Sequence, residues 1–215
     1  MKKILLSLGA AVLLAAGAQA QTSWGLKAGV NLGKYSNVPA AYEDYAKMNP
    51  SFYVTGYADI PVAPQFSVQP GVSLQGKGAK YKASDENADG TLTQNVMAIE
   101  IPVNAVYYIP TGYSGSVFLG AGPYVGYSVS GKNKASGTIF GTTGSSEEDI
   151  RFGSDADDHQ KPFDFGINFL AGYKLANGFL VNAGYGLGLT NLSPTGSSDN
   201  KFSNRVLSFG VGYQF

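Results

Sequence analysis

The residues that could bind a metal or do acid–base chemistry are concentrated in two polar stretches. The first, SDENADGT, places Asp85, Asn87 and Asp89 at positions 1, 3 and 5 of a calcium-loop pattern. Val96 stands where such a loop has its closing bidentate glutamate, and no helical pattern flanks the segment. We therefore favour a solvated turn here, and we keep Asp85, Asn87 and Asp89 as the candidate metal ligands.

The second stretch, EEDIRFGSDADDH, contains six carboxylates and His159, the only histidine. Weak binding of a divalent ion is one hypothesis, and a hydrated run of charge is the one we favour. A Ser-His-Asp site would need His159, and the chain has no cysteine for thiol chemistry or zinc ligation. We therefore expect neither enzymatic activity nor a cofactor.

The rest of the chain alternates between apolar and small or polar residues. LSFGVGYQF, for example, sets Leu207, Phe209, Val211, Tyr213 and Phe215 against serine, glycine and glutamine. A period of two predicts β-strands. It recurs in eight segments: 23–33, 51–60, 65–75, 95–109, 116–129, 162–175, 178–190 and 207–215.

The connections between these segments alternate in length. Short links follow the second, fourth and sixth segments, and we expect long polar loops at 34–51, 76–93, 130–162 and 190–204. This arrangement is typical of an antiparallel up-and-down barrel that crosses a membrane. We therefore predict an all-β fold, an eight-stranded antiparallel up-and-down transmembrane β-barrel.

Composition decides between a membrane barrel and a secreted, lipocalin-like one. Charged residues make up only 14% of the chain, and the polar strand faces are mostly Gly, Ser, Asn and Gln. The water-facing surface of a soluble barrel would carry more Lys and Glu. Aromatic residues also cluster at strand ends, as membrane interfaces require. The balanced net charge of zero gives no indication of nucleic-acid binding.

The N-terminus has the layout of a secretory signal peptide. MKKILLSLGAAVLLAAGAQA combines a basic start, an apolar core and a small-x-small cleavage site. We expect residues 1–20 to be removed after Ala20, which leaves 21–215 as the barrel domain. The predicted location is the bacterial outer membrane, with outer-membrane lipid and lipopolysaccharide as partners.

Strand alternation also predicts which charged residues face the lumen. These are Lys27, Glu100, Asp164, Lys174 and, with the second strand oriented as we suppose, Asp59. Buried charges are costly unless paired, so we expect Lys27 to pair with Asp59 or Glu100. A structural ion-pair plug is the favoured interpretation, and a gated polar path for protons or small solutes is the alternative.

Three stretches carry a resemblance to a known family: GLKAGVNLG at 25–33, IEIPVNAVYYIP at 99–110 and AGYGLGLTNLSP at 183–194. They resemble the small outer-membrane β-barrel proteins of the PorT-like or "porin family" type that are frequent in Bacteroidota. The ending is similar to the C-terminal signal of such barrels. The resemblance therefore implies that Phe209, Tyr213 and Phe215 are recognised by the barrel-assembly machinery.

Three hypotheses for function follow. The first is a non-enzymatic outer-membrane barrel with an envelope-structural or surface-binding role. The second is a narrow channel or transporter for small polar solutes. The third, implied by the PorT-like resemblance, is an accessory role in protein secretion. The sequence assigns neither a ligand nor an oligomeric state.

Overall fold

The computed structural model describes residues 22–37, 43–85, 88–139, 142–155, 157–195 and 201–215. The predicted signal peptide, 1–20, lies outside these residues. The strands are β1 (Ser23–Tyr35), β2 (Ala46–Lys47), β3 (Asn49–Ala63), β4 (Phe66–Asp85), β5 (Ala88–Pro110), β6 (Gly115–Ile139), β7 (Thr142–Asp149), β8 (Phe163–Leu175), β9 (Phe179–Gly188) and β10 (Asn204–Gln214). Among the described residues, no helix is long and apolar enough to span a membrane.

Eight of the strands form a closed antiparallel ring in the order β1-β3-β4-β5-β6-β8-β9-β10. Pairing of β10 with β1, from Gly25 opposite Gln214 to Tyr35 opposite Asn204, closes the ring. The amide of Phe215 extends this pairing by donating to the carbonyl of Trp24 at 2.8 Å. The predicted eight-stranded up-and-down barrel is therefore confirmed.

The two ends of the ring differ. One end, the short-turn end, carries the connections 64–65, 111–114 and 176–178, together with the start of β1 and the end of β10. The other, the long-loop end, carries the remaining connections and two strands outside the ring. Of these, β2 pairs with β4, and β7 pairs with β6.

Two of the predicted long loops are largely strand, so those boundaries were wrong. Pairing between β4 and β5 continues to Asp85 opposite Ala88, and β6 runs to Ile139 before β7 returns along it. Beyond the apolar part of the barrel a strand needs no apolar face, and polar residues can therefore form the same ladder. The segments 76–93 and 130–149 thus extend the sheet past the ring.

The two faces of the ring have opposite character. On β5, Ile99 and Ile101 point outward and are 45% and 53% exposed, whereas Glu100 between them is 2% exposed. The outward side chains of β10 include Phe209, Tyr213 and, just after the strand, Phe215, all of them exposed. The outer surface is therefore an apolar belt, and the polar side chains are enclosed within the ring.

Apolar clusters inside the ring are small. Val106, Phe118 and Leu180 pack together towards the short-turn end. Tyr35, Ala79 and Leu192 pack towards the long-loop end. Much of the remaining interior is filled by hydrogen-bonded polar side chains.

The hairpin of β6 and β7 contains an exposed charge cluster. Lys132 and Lys134 both contact Glu147, and the Lys134 Nζ to Glu147 Oε2 distance is 2.8 Å. Hydrogen bonds from the two lysines lower the pKa of Glu147 from 4.5 to about 2. This carboxylate therefore stays ionised well into the acid range.

We predict that this cluster supports the hairpin above the ordinary carboxylate pKa, and that its contribution is lost as the pH falls towards about 2. NMR of the Glu147 carboxyl carbon should give a titration midpoint near pH 2, and this signal should vanish in Glu147→Gln. A midpoint near 4.5 would show that the lysines do not hold the carboxylate.

The pairing of the last strand predicts a role for Phe215 in assembly. Phe215→Asp places a charge at the lipid interface and should reduce insertion of the folded barrel, whereas Phe215→Leu should insert normally. Heat-modifiable migration of the protein in isolated outer membranes measures insertion, and removal of the signal peptide measures export. Export should be the same for both variants. Normal insertion of Phe215→Asp would contradict this role.

Candidate functional site

A buried ion cluster crosses the lumen towards the long-loop end. Lys77 from β4 forms ion pairs with Glu100 from β5 and with Asp164 from β8, the second at 2.8 Å between Nζ and Oδ2. None of the three side chains is more than 5% exposed. Tyr124 and Asn204 also donate to Asp164 Oδ2, at 3.1 and 2.7 Å. One lysine thus joins two carboxylates that belong to different strands.

Local sequence explains why the two carboxylates lie side by side. Gly126 on β6 is the register partner of Glu100 on one side and of Asp164 on the other. A Cβ at Gly126 would lie 3.2 Å from Cγ of Glu100. The glycine therefore leaves room for Glu100 to lie over β6.

A second cluster surrounds Asp59 at the short-turn end. Its carboxylate accepts hydrogen bonds from four side chains, at distances of 2.8 to 3.4 Å: Gln69, Tyr108, Gln214 and Ser67. Four donors disperse the charge of one carboxylate, so Asp59 is accommodated without a direct cation partner.

The expected pairing of Lys27 with Asp59 or Glu100 is not formed. The Lys27 ammonium donates to Gln69 at 3.4 Å and lies 4.1 Å from the ring centroid of Tyr57. Gln69 in turn donates to Asp59, so the amide stands between the two charges. Glu100 is already paired with Lys77. Lys77 lies in the segment 76–93, which we expected to be a loop outside the barrel.

The structure places the predicted lumen residues as follows. Lys27, Asp59, Glu100 and Asp164 are buried inside the ring. Lys174 is partly buried near the short-turn end, with its ammonium 4.6 Å from the ring centroid of Tyr108. With Lys77 added, three lysines face three carboxylates, which gives a neutral lumen when all six are ionised.

Sequence reasoning missed Lys77, although a signal was present. Every second residue of β4 faces the lumen, and four of these residues are polar: Ser67, Gln69, Ser73 and Gln75. Lys77 is the next residue of the same series. The apolar outward residues end at Leu74, and the following glycines and lysines resemble a loop. The alternation of the inward face alone would have included Lys77.

A polar cavity of about 90 Å³ lies between the two charge clusters. Its lining includes Lys27, Asn31, Lys77, Glu100 and Asn104. The side-chain oxygens Oδ1 of Asn31, Asn104 and Asp164 are buried without a hydrogen-bond partner. The cavity can hold ordered water, because a single water needs on the order of 10–15 Å³ and polar partners.

Of the candidate metal ligands Asp85, Asn87 and Asp89, the structure describes the side chain of Asp89 alone. Asp85 ends β4, and Asp89 Oδ1 accepts the amide of Thr138 at 2.9 Å. Asn87 lies outside the described residues. His159 accepts the amide of Arg151 through Nδ1 at 2.9 Å. No group of three or more His, Cys, Asp or Glu side chains suited to a metal occurs among the described residues.

The ion cluster predicts a strong effect of Lys77→Met on stability. Removing the lysine leaves Glu100 and Asp164 buried and uncompensated, and we expect a loss of about 3–5 kcal/mol. Lys27→Met, which removes one long hydrogen bond and the contact with the Tyr57 ring, should cost about 1–2 kcal/mol. Urea unfolding of the refolded protein in lipid vesicles measures both.

A charge-free triple variant separates the loss of a charge partner from the loss of packing. Lys77→Met combined with Glu100→Gln and Asp164→Asn removes the unpaired carboxylates and should recover most of the stability. Equal losses for Lys77→Met and Lys27→Met would contradict the assignment of Lys77 as the central cation.

Comparison with known proteins gives one match to a family model and several structural likenesses. Solved structures similar to this chain include Ail of Yersinia pestis (14% identity, 91% of this chain and 99% of that one, TM-score 0.35). They also include the N-terminal β-barrel domain of Pseudomonas aeruginosa OprF (14% identity, 92% of this chain and 100% of that one, TM-score 0.35). A third is neisserial surface protein A (17% identity, 90% of this chain and 99% of that one, TM-score 0.41). No curated protein matches the sequence.

The family model described as "Outer membrane protein beta-barrel domain" matches residues 18–193. The match covers well over half of the 215 residues, including seven of the eight ring strands in full. The chain therefore belongs to the outer membrane protein β-barrel domain family.

Proposed function

We propose that this protein is a non-enzymatic barrel of the bacterial outer membrane with an envelope-structural or surface-binding role. The observation that carries the proposal is the Lys77–Glu100–Asp164 cluster, which fills the lumen with buried, paired charge. Outer-membrane lipid, lipopolysaccharide and the barrel-assembly machinery are the partners that we propose for it.

Side-chain contacts across the lumen support a closed barrel. Lys77 on β4 reaches Asp164 on β8, past the two intervening strands β5 and β6. Asn182 on β9 donates to the Tyr53 hydroxyl on β3 at 2.9 Å, again between strands that are not neighbours. An eight-stranded barrel is just wide enough for its own side chains to fill it. Such contacts obstruct the lumen at the positions where they form.

The long-loop end supports a role at the cell surface. The extensions of β4, β5 and β6, with β2 and β7 at their edges, form a sheet beyond the ring. A largely apolar groove of about 370 Å³ on this sheet is lined in part by Tyr45, Tyr81 and Leu92. A sheet of paired strands that projects beyond the ring presents such a surface.

A narrow channel for small polar solutes is the second candidate. The cavity of about 90 Å³, with the unpartnered oxygens of Asn31 and Asn104 in its lining, favours it, because water or a small ion could occupy such a space. A channel would require the ion cluster to open.

Planar-bilayer conductance decides between these two functions. We predict that the purified, refolded wild-type protein gives no reproducible conductance steps, because Lys77 and its partners close the lumen. Steady steps from the wild-type barrel would contradict the structural role and support the channel.

A variant with an emptied lumen controls for insertion. Four substitutions remove the three charges of the ion cluster and the ring beside them: Lys77→Ala, Glu100→Ala, Asp164→Ala and Tyr124→Ala. This variant should produce steps under the same conditions. Heat-modifiable migration verifies that this variant folds. Silence of both proteins after verified insertion would show that other side chains also close the lumen.

An accessory role in secretion, which the PorT-like resemblance implies for some relatives, is the third hypothesis. It requires stable partner proteins, so it predicts specific co-purification from native membranes. A barrel that is isolated alone under mild extraction would contradict it.

A further inference from the structure

Cations lie where the apolar belt ends at the long-loop end. On β1 the outward residue that follows Leu32 is Lys34, and on β10 the outward residue that precedes Leu207 is Arg205. Lys34 and Arg205 are direct register partners on neighbouring strands. Two positive side chains therefore stand side by side at the edge of the belt.

A second pair of cations lies close by, between β2 and β4 at the long-loop end. Lys47 of β2 is the register partner of Lys80 of β4, and Lys82 is the next residue on the same face of β4. Because Asn49, at the start of β3, pairs with Gly33 of β1, β2 lies near the end of β1. Three strand spacings of about 4.8 Å put Arg205 and Lys80 roughly 15 Å apart. We call Lys34, Lys47, Lys80, Lys82 and Arg205 the basic row.

The basic row has no carboxylate partners among the described residues. Lys132 and Lys134, also at the long-loop end, are both paired with Glu147. Arg205 instead donates from Nη1 to the carbonyls of Gly188 and Asn204, at 2.6 and 2.8 Å. Lys47 donates to the carbonyl of Asp44 at 3.1 Å. These bonds position the two cations and leave their charges uncompensated.

This arrangement costs free energy in the isolated protein. Like charges directly opposite each other on neighbouring strands repel, and both pairs of the row have this geometry. An anion placed between the cations would reverse the sign of the interaction, and a guanidinium can bind a phosphate with two parallel hydrogen bonds.

The short-turn end provides an internal comparison. In the described part of the chain its outward positions carry no Lys or Arg, and its exposed residues include Trp24, Tyr107, Phe179 and Tyr213. Both ends meet a membrane interface, so anchoring alone does not explain cations at only one end. The long-loop end, which we propose faces the outside of the cell, is the end that carries them.

We propose that the basic row binds the phosphate groups of the lipid in the outer leaflet. The row stands at the height where the apolar belt ends, which is where lipid headgroups begin, and it presents up to five cations to them. The proposal rests on the outer-membrane placement of the barrel. Its failure would not affect the conductance result, because the row lies on the outer face.

The test measures thermal unfolding of the full refolded chain in phosphatidylcholine nanodiscs that contain bisphosphorylated or dephosphorylated lipid A. The phosphorylated lipid should raise the midpoint of the wild-type protein, and the dephosphorylated lipid should not. In Lys34→Gln combined with Arg205→Gln, the apparent affinity should fall by about fivefold for each cation removed. Lys132→Gln, which removes a cation already paired with Glu147 at the same end of the barrel, should behave like wild type.

The single variant Lys34→Glu separates lipid binding from barrel stability. It places a carboxylate opposite Arg205, and the barrel should therefore be as stable as wild type, or more so, in phosphatidylcholine alone. The apparent affinity for phosphorylated lipid A should nevertheless fall by about as much as in the double variant, because both changes remove two units of positive charge. A purely structural role for Lys34 would change both readouts in the same direction.

Three results would overturn the proposal: an equal response of the wild-type protein to both forms of lipid A, an unchanged response of the double variant, or the same stabilisation by inorganic phosphate at equal concentration. The last result would indicate a site for free anions. If the double variant does not fold, Lys80→Gln combined with Lys82→Gln carries the same test on β4.

Discussion

The rest of the structure depends on one requirement: in a hydrocarbon layer the backbone amides and carbonyls must bond to each other. A sheet satisfies this requirement only when it has no free edge, so the last strand must pair with the first. The contacts from Gly25–Gln214 to Tyr35–Asn204, and the bond from Phe215 to Trp24, meet this need. Closure then divides the side chains into two sets. With a period of two, apolar residues cover the outside, and every polar residue of the alternate set is enclosed.

Enclosure explains the chemistry of the interior. Because the ring is narrow, its polar side chains must bond to each other across the lumen, and a charge must be compensated where it lies. The protein uses two solutions. At Lys77 a cation is shared between Glu100 and Asp164, whereas Asp59 is held by four neutral donors. The first joins distant strands, the second groups side chains at one end, and both fill part of the lumen.

Much of the fold could be predicted from the sequence, because alternation and turn spacing are local signals. The eight strands, and the inward direction of residues such as Glu100 and Asp164, follow directly from periodicity. The pairing of charged side chains does not follow from periodicity, because it depends on the register between strands and on the length of each side chain. Lys27 was expected to pair with Asp59 or Glu100, but Gln69 lies between Lys27 and Asp59, and Glu100 is paired with Lys77. Lys77 was missed because the strand continues into water, where the outward face loses its apolar residues and resembles a loop.

The central claim is that β5 presents one face to lipid and the other to a sealed interior. Since the chain has no cysteine, nitroxide labels can be placed singly along this strand. Collision rates with oxygen and with a water-soluble nickel chelate test both faces at once. Labels at Ile99, Ile101 and Val103 should meet oxygen and not the chelate, and labels at Ala98 and Asn104 should be shielded from both. Access of the chelate to Ala98 and Asn104 would contradict the sealed interior, and its access to Ile99 and Ile101 would contradict the membrane-facing surface.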